Sequence, residues 1–224
     1  MDQEELKQIR QSPLFDGISD KDLPAMLKCT GCYTHFFKKG ESVYSQEEEI
    51  VAVGIVLCGH VQMLQEDIWG RKTILTAMDP GDLFGETFAC GSETTSKVTF
   101  LCTMPTKVLM MPFHHIMNMC SNACSFHNKL IENMVRMIAA KNGQLMEKVE
   151  ILSRRTLREK ILAYLSREVQ KQKSQYLDIP MGRIELAEYL GADRSALSRE
   201  LSRMKEDGLI DYDRNTFRLI KTEV

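Results

Sequence analysis

Hydrophobic and polar positions along this chain change their rhythm twice. From about Cys32 to Met111 the apolar residues come in short alternating runs, such as Val53, Ile55 and Leu57, then Val61 and Met63. Turn signals punctuate them at Lys39-Gly40, Cys58-Gly59, Trp69-Gly70, Asp79-Pro80-Gly81 and Phe84-Gly85-Glu86. A period of two with such punctuation predicts short strands in a β-sandwich or barrel; no helical window is long enough to cover a parallel sheet. The preceding stretch, Met1 to Lys28, predicts one or two short helices broken at Ser12-Pro13 and Asp16-Gly17.

Past Pro112 the rhythm becomes helical. Ile131, Val135, Ile138, Asn142, Leu145, Val149 and Leu152 advance by fours and threes, a heptad seam about three heptads long. A second row, Leu130, Met134 and Met137, widens the apolar face, so the helix has surface for both a partner helix and its own barrel. Asn142 is the polar member of the seam and would fix register against its symmetry mate. The alternative is an amphipathic helix packed solely on its own domain. After Ser153-Arg154-Arg155, the run Thr156-Leu157-Arg158-Glu159 is a capping-box signature. It opens a helix through Ile161, Leu162 and Leu165 to about Gln172.

The last rhythm is two short helices and a hairpin. Ile184, Leu186, Ala187 and Leu190 give the first helix an apolar side, and Ala187 is small where another helix must cross. Gly191-Ala192-Asp193 makes the turn, with Asp193 placed as N-cap. The second helix, Arg194 to Asp207, buries Leu197, Leu201 and Met204 and turns Arg194, Ser195, Ser198, Arg199, Ser202 and Arg203 the other way. Guanidinium forks match guanine O6 and N7 in a major groove, and hydroxyls match bases or phosphates. Beyond Gly208, Leu209 to Tyr212, a turn at Asp213 to Asn215, and Thr216 to Ile220 read as a wing hairpin. The competing view is an ordinary helical pair with a solvated basic face, but turn, cap, basic face and hairpin in this order favour DNA.

Charge adds a weak push in the same direction. The 224 residues carry a net charge of −2, but the segment from Ser153 onward has 15 Lys and Arg against 12 Asp and Glu. No apolar run reaches membrane-spanning length and the acidic start does not resemble a signal peptide, so a cytoplasmic location is expected. Seven cysteines, Cys29, Cys32, Cys58, Cys90, Cys102, Cys120 and Cys124, all precede the last helical region. They are expected as reduced, mostly buried thiols, with a metal or redox site as the alternative. No P-loop, H-E-x-x-H, G-x-S-x-G or dinucleotide G-x-G-x-x-G is present, and nothing points to an enzyme.

The run Leu186 to Leu201, followed by Gly208-Leu209-Ile210, resembles the helix-turn-helix of the Crp/Fnr superfamily. The barrel turns, Asp79-Pro80-Gly81-Asp82-Leu83-Phe84-Gly85-Glu86, the long helix and the capped joint fall in that family's order, over about residues 12 to 222. The resemblance implies an α+β chain in three parts. These are a sensor domain over 1–120, with N-terminal helices and a jelly-roll-like, cyclic-nucleotide-binding-type β-barrel; a dimerisation helix over 121–152; and a winged helix-turn-helix over 153–224. It places Arg194, Ser195, Ser198 and Arg199 on base-reading positions, with Arg203 beside them. It implies a homodimer with Ile131, Val135, Ile138, Asn142, Leu145 and Val149 at the interface. Partners would be a palindromic duplex and a second copy, and RNA polymerase is admitted as a further one. A change at the barrel would reach the winged helices through the joint at Ser153 to Thr156. Many members carry glutamate where Ser195 stands, so weaker discrimination is expected at the base pair it faces.

The sensor departs from the cyclic-AMP-binding pattern. Gly85, Glu86 and Thr87 align with the effector pocket, but Ser96 and Lys97 stand where those members have arginine and a small residue. Lys97 lacks the bidentate fork. Leu145 and Met146 fall at the adenine-contacting positions and cannot hydrogen-bond a base. Cyclic AMP is therefore not expected. The cysteines do not reproduce the spacing of iron-sulfur members, and His114, His115 and His127 read as solvated helix-end residues rather than haem ligands. The effector stays open between another small molecule and a redox change. The rival reading of the whole chain is a ligand-binding module that regulates a protein partner instead of DNA.

Overall fold

The computed structural model describes residues 3–117 and 125–220. The chain folds into two compact units, Met1–Ala140 and Lys141–Val224, each with its own apolar core.

The first unit opens with α1 (Gln3–Ile9), a 3-10 turn at Pro13–Phe15 and α2 (Leu23–Cys29). Ser12 caps the turn with its hydroxyl toward the Leu14 amide, and Pro13 occupies its first position, where a missing N–H costs nothing. Eight strands follow: β1 (Tyr33–Phe37), β2 (Ser42–Tyr44), β3 (Ala52–Cys58), β4 (Val61–Glu66), β5 (Lys72–Met78), β6 (Leu83–Phe84), then α3 (Glu86–Ala89), β7 (Thr99–Cys102) and β8 (Thr106–Pro112). They form two antiparallel four-stranded sheets, ordered β1-β8-β3-β6 and β2-β7-β4-β5. Residues of both sheets share one core. The two packed sheets are what the turn spacing predicts, and they are of the jelly-roll class that the resemblance implies.

One detail differs from the alternating pattern. In β3 not only Val53, Ile55 and Leu57 but also Ala52, Gly54 and Val56 are buried. The strand is central, and α1 and α4 (Phe113–Met117) contact it as well, so neither face meets water. Gly54 is required there: a Cβ would lie 2.3 Å from the Phe84 ring.

The long helix α5 (Ser125–Leu152) begins in the first unit and ends in the second. Leu130 and Met134 sink into the barrel core, and Asn133 Nδ2 donates to the carbonyls of Leu14 and Asp16 at 2.9 and 2.8 Å. His127 is buried rather than solvated, with Nε2 donating to the His115 carbonyl at 3.1 Å, because the first turn of α5 packs down behind α4. His114 and His115 are exposed as expected. Of the five described cysteines only Cys102 is fully buried, while Cys29 and Cys90 are exposed. The expectation of mostly buried thiols is not met among these five: Cys32 and Cys58 are half-buried, and Cys29 and Cys90 close the short helices α2 and α3 at the surface. Cys120 and Cys124 lie outside the described residues.

The second unit contains α6 (Leu157–Gln172), β9 (Tyr176–Asp178), α7 (Arg183–Tyr189), α8 (Arg194–Glu206), β10 (Ile210–Asp213) and β11 (Thr216–Leu219). The capping box forms as the sequence implied: Thr156 Oγ1 accepts from the Glu159 amide, and Glu159 accepts from the Thr156 amide, both at 3.2 Å. The hairpin pairs Ile210 with Leu219 and Asp213 with Thr216. A third strand, β9, joins its far side through Phe217 and Leu177, giving the order β10-β11-β9. Ile151, from the last turn of α5, belongs to this core.

Candidate nucleic-acid interface

α7 and α8 hold the angle of a helix-turn-helix because their inner faces are fully apolar. Leu186 and Ala187 of α7 meet Leu197, Leu201 and Met204 of α8 in the core. Gly191 in the turn has φ 61°, the left-handed conformation that glycine adopts without a side-chain clash. Two sequence expectations are corrected here. Ile184 is 57% exposed, since it sits in the first turn of α7 beyond the reach of α8. Asp193 is the N-cap residue of α8, but its carboxylate makes no cap hydrogen bond.

With its apolar side buried, α8 presents Arg194, Ser195, Ser198, Arg199, Ser202 and Arg203 to solvent, all exposed. Ser198, Arg199, Ser202, Arg203 and Glu206 border one shallow open depression. Among the described residues no carboxylate lies within ion-pair distance of Arg194 or Arg199, so both forks are available to an external acceptor. Ser198 and Ser202 donate their hydroxyls back to the carbonyls of Arg194 and Ser198, at 3.0 and 3.1 Å. Their oxygen lone pairs still face outward as acceptors.

Three basic residues with no motif of their own in the sequence tie this surface together. Arg183, the first residue of α7, donates through Nη2 to the Arg214 carbonyl in the wing turn. Its guanidinium lies over Phe217 and Tyr212, with centroid distances of 4.8 and 5.2 Å. Burial against these rings draws its pKa down from the usual value. Lys205 ties α8 to the wing through Asp211 at 2.6 Å and the Tyr212 carbonyl at 3.3 Å. Arg158 of α6 reaches Glu200 and Asp207 of α8, each at 2.6 Å. An arginine at the start of an amphipathic helix gives no sequence signal for such reach.

A family model for the cyclic nucleotide-binding domain matches residues 34–123, and one for the Crp-like helix-turn-helix domain matches residues 159–223. The chain belongs to the Crp/Fnr family. It is a DNA-binding transcription regulator of that family and not an enzyme. It is similar to the transcriptional activator protein FnrL of Cereibacter sphaeroides, at 25% identity over 80% of this chain and 72% of that one. Its fold is similar to the catabolite activator protein of Thermus thermophilus, at 20% identity, TM-score 0.55 and 93% of both chains. The CprK protein complexed with OCPA shares the fold at 15% identity, TM-score 0.66 and 89% of both chains. Among the described residues no helix is long and apolar enough to cross a membrane.

Of the residues expected at the effector pocket, Gly85, Glu86, Thr87, Ser96 and Lys97 lie in the first unit. Gly85, at φ 79°, leads into α3, where Glu86 is buried and Thr87 exposed. Ser96 is buried, and its hydroxyl is taken by the Val98 carbonyl at 2.6 Å. Lys97 is exposed and pairs with Glu93 at 2.6 Å, and that contact holds the Glu93 carboxyl below its usual pKa. Leu145 and Met146 are exposed on α5, in the second unit. No group of three or more metal-ligating side chains converges among the described residues.

Of the seam on α5, Ile131 and Ile138 are half-buried against the barrel core. Val135, Asn142, Leu145 and Val149 are exposed, the three apolar ones at 59%, 62% and 62%.

Proposed function

We propose that this regulator is a homodimer that reads a two-fold symmetric duplex site, and that a small molecule or a redox change at the barrel alters its DNA affinity. The observation that carries the DNA reading is the exposed face of α8, with Arg194 and Arg199 unpaired among the described residues and the opposite face locked in the core. Arg199 is assigned to a guanine in each half-site, Arg194, Ser195 and Ser198 to neighbouring bases or phosphates, and Arg203 to the backbone. Ser195 has no carboxylate to accept from a cytosine amino group, so discrimination at its base pair is weaker.

Dimerisation is supported by the uncovered stripe Val135, Leu145 and Val149. Exposed apolar side chains at heptad spacing are a seam awaiting a partner helix, with Asn142 setting register. Two recognition helices then meet half-sites about one turn, roughly 34 Å, apart. The effector is not cyclic AMP on this reading, because Lys97 is engaged by Glu93 and Ser96 by Val98. RNA polymerase is a further proposed partner of the DNA-bound dimer.

Selection of bound sites from a random duplex pool, with the protein purified without added ligand, tests the reading. A palindrome with half-sites one turn apart is expected. If only salt-sensitive background appears, both without ligand and with a metabolite extract, the chain acts instead as a ligand-binding module on a protein partner.

A further inference from the structure

We propose that Arg158 is a positioning residue for DNA recognition: it engages two carboxylates of α8 and so holds Arg203 to no more than a long 3.9 Å contact with Glu200, leaving it available to the duplex. This rests on the reading of α8 as the recognition helix.

From Asp193 to Asp207, α8 with its caps carries four carboxylates, Asp193, Glu200, Glu206 and Asp207, against four cations, Arg194, Arg199, Arg203 and Lys205. By composition this helix is neutral and poorly suited to a polyanion. Its fold separates the charges. Arg158, 42 residues before Glu200, directs Nε to Glu200 Oε1 and Nη1 to Asp207 Oδ2. Two carboxylates in two directions suit a rigid guanidinium fork and not a point ammonium. Asp207 is the C-cap of α8, where the unpaired carbonyls already make the potential negative, so the same cation relieves an unfavourable helix end.

Glu200 is the branch point. Its other oxygen, Oε2, lies 3.9 Å from Arg203 Nη1. Arg158 and Arg203 therefore compete for one carboxylate whose side chain is 17% exposed, while that of Arg203 is 70% exposed. A largely buried carboxylate deprived of its cation seeks another, and Arg203 is the nearest. Capture would lay Arg203 along the helix and remove it from the phosphate backbone.

The test is binding of the full chain to a duplex recovered by the site selection, followed by anisotropy across a salt series. Arg158→Ala is expected to weaken binding about tenfold and to lower the slope of log K against log salt by about 0.9, one phosphate contact fewer. Adding Glu200→Gln to Arg158→Ala should restore the slope and most of the affinity, because a neutral amide does not capture Arg203. Arg158→Lys, which keeps one of the two pairings and serves if the alanine variant does not fold, should fall between. A purely structural role would lower the melting temperature but leave the slope of the folded protein unmoved and unrescued by Glu200→Gln. Unchanged affinity and slope in folded Arg158→Ala or Arg158→Lys, or a slope that Glu200→Gln fails to restore, would overturn the inference. Absence of selective binding by the wild type would instead overturn the reading on which it rests.

Discussion

At the scale of single residues, the interface depends on which side chains are already engaged. Arg199 has no acidic partner among the described residues, whereas Arg203 has one at 3.9 Å and Lys205 is held by Asp211. A free fork can form a bidentate contact with guanine, worth about 1–3 kcal/mol of discrimination. Arg199→Ala is therefore expected to weaken the selected site by roughly 10- to 100-fold and to flatten preference at one base pair in each half. Repeating the site selection with the variant measures this, and an unchanged consensus would remove Arg199 from base reading. The thiols differ in the same way. Burial pushes the Cys32 pKa up to about 11, against a partly offsetting contact with Thr30 Oγ1 at 2.9 Å. The raised value favours the protonated thiol, so reactive thiolate accumulates only as pH climbs toward 11. At pH 8, Cys32 should be alkylated on the order of 100-fold more slowly than an ordinary thiol. Mass spectrometry of iodoacetamide-treated protein reads this out, and rapid labelling of Cys32 in the folded chain would count against it.

At the scale of elements, caps and faces decide what is stable. The Thr156–Glu159 box satisfies two orphan donors at the start of α6, and Glu159 also accepts from the Arg155 amide at 3.0 Å. Thr156→Ala should cost the C-terminal unit about 1 kcal/mol, seen as a lower urea midpoint. Asp193 makes no corresponding bond, so α8 depends more on its buried Leu197, Leu201 and Met204 than on its cap. α5 shows two faces with different occupants. Leu130 and Met134 are consumed by the barrel, and the stripe toward Val149 is left open.

At the scale of the whole molecule, that open stripe is the proposed link between self-association and DNA reading. Leu145→Asp with Val149→Asp places charges where a partner helix would pack, at positions exposed in the single chain. Each protomer should fold with little loss of stability, while sedimentation shows monomers and binding to the full palindrome falls toward that of a half-site. A variant that stays dimeric would show that the seam lies elsewhere.

The sequence by itself determined what depends on neighbours a few residues away. The strand runs, the long helix, the capping box, the Gly191 turn and the hairpin at Asp213 to Asn215 were all legible, because local sterics and hydrogen bonds produce each of them. The basic face of α8 was legible for the same reason, as helical spacing fixes which residues share a side. Tertiary structure alone decided what comes together across long separations. It added β9 to the wing, covered β3 on both faces, buried His127 and left Ile184 in solvent. It also brought Arg158 to Glu200 and Arg183 to the wing turn. Periodicity names the buried side of an element but not which distant element covers it, and a charged side chain acquires its partner only when the chain has folded back on itself.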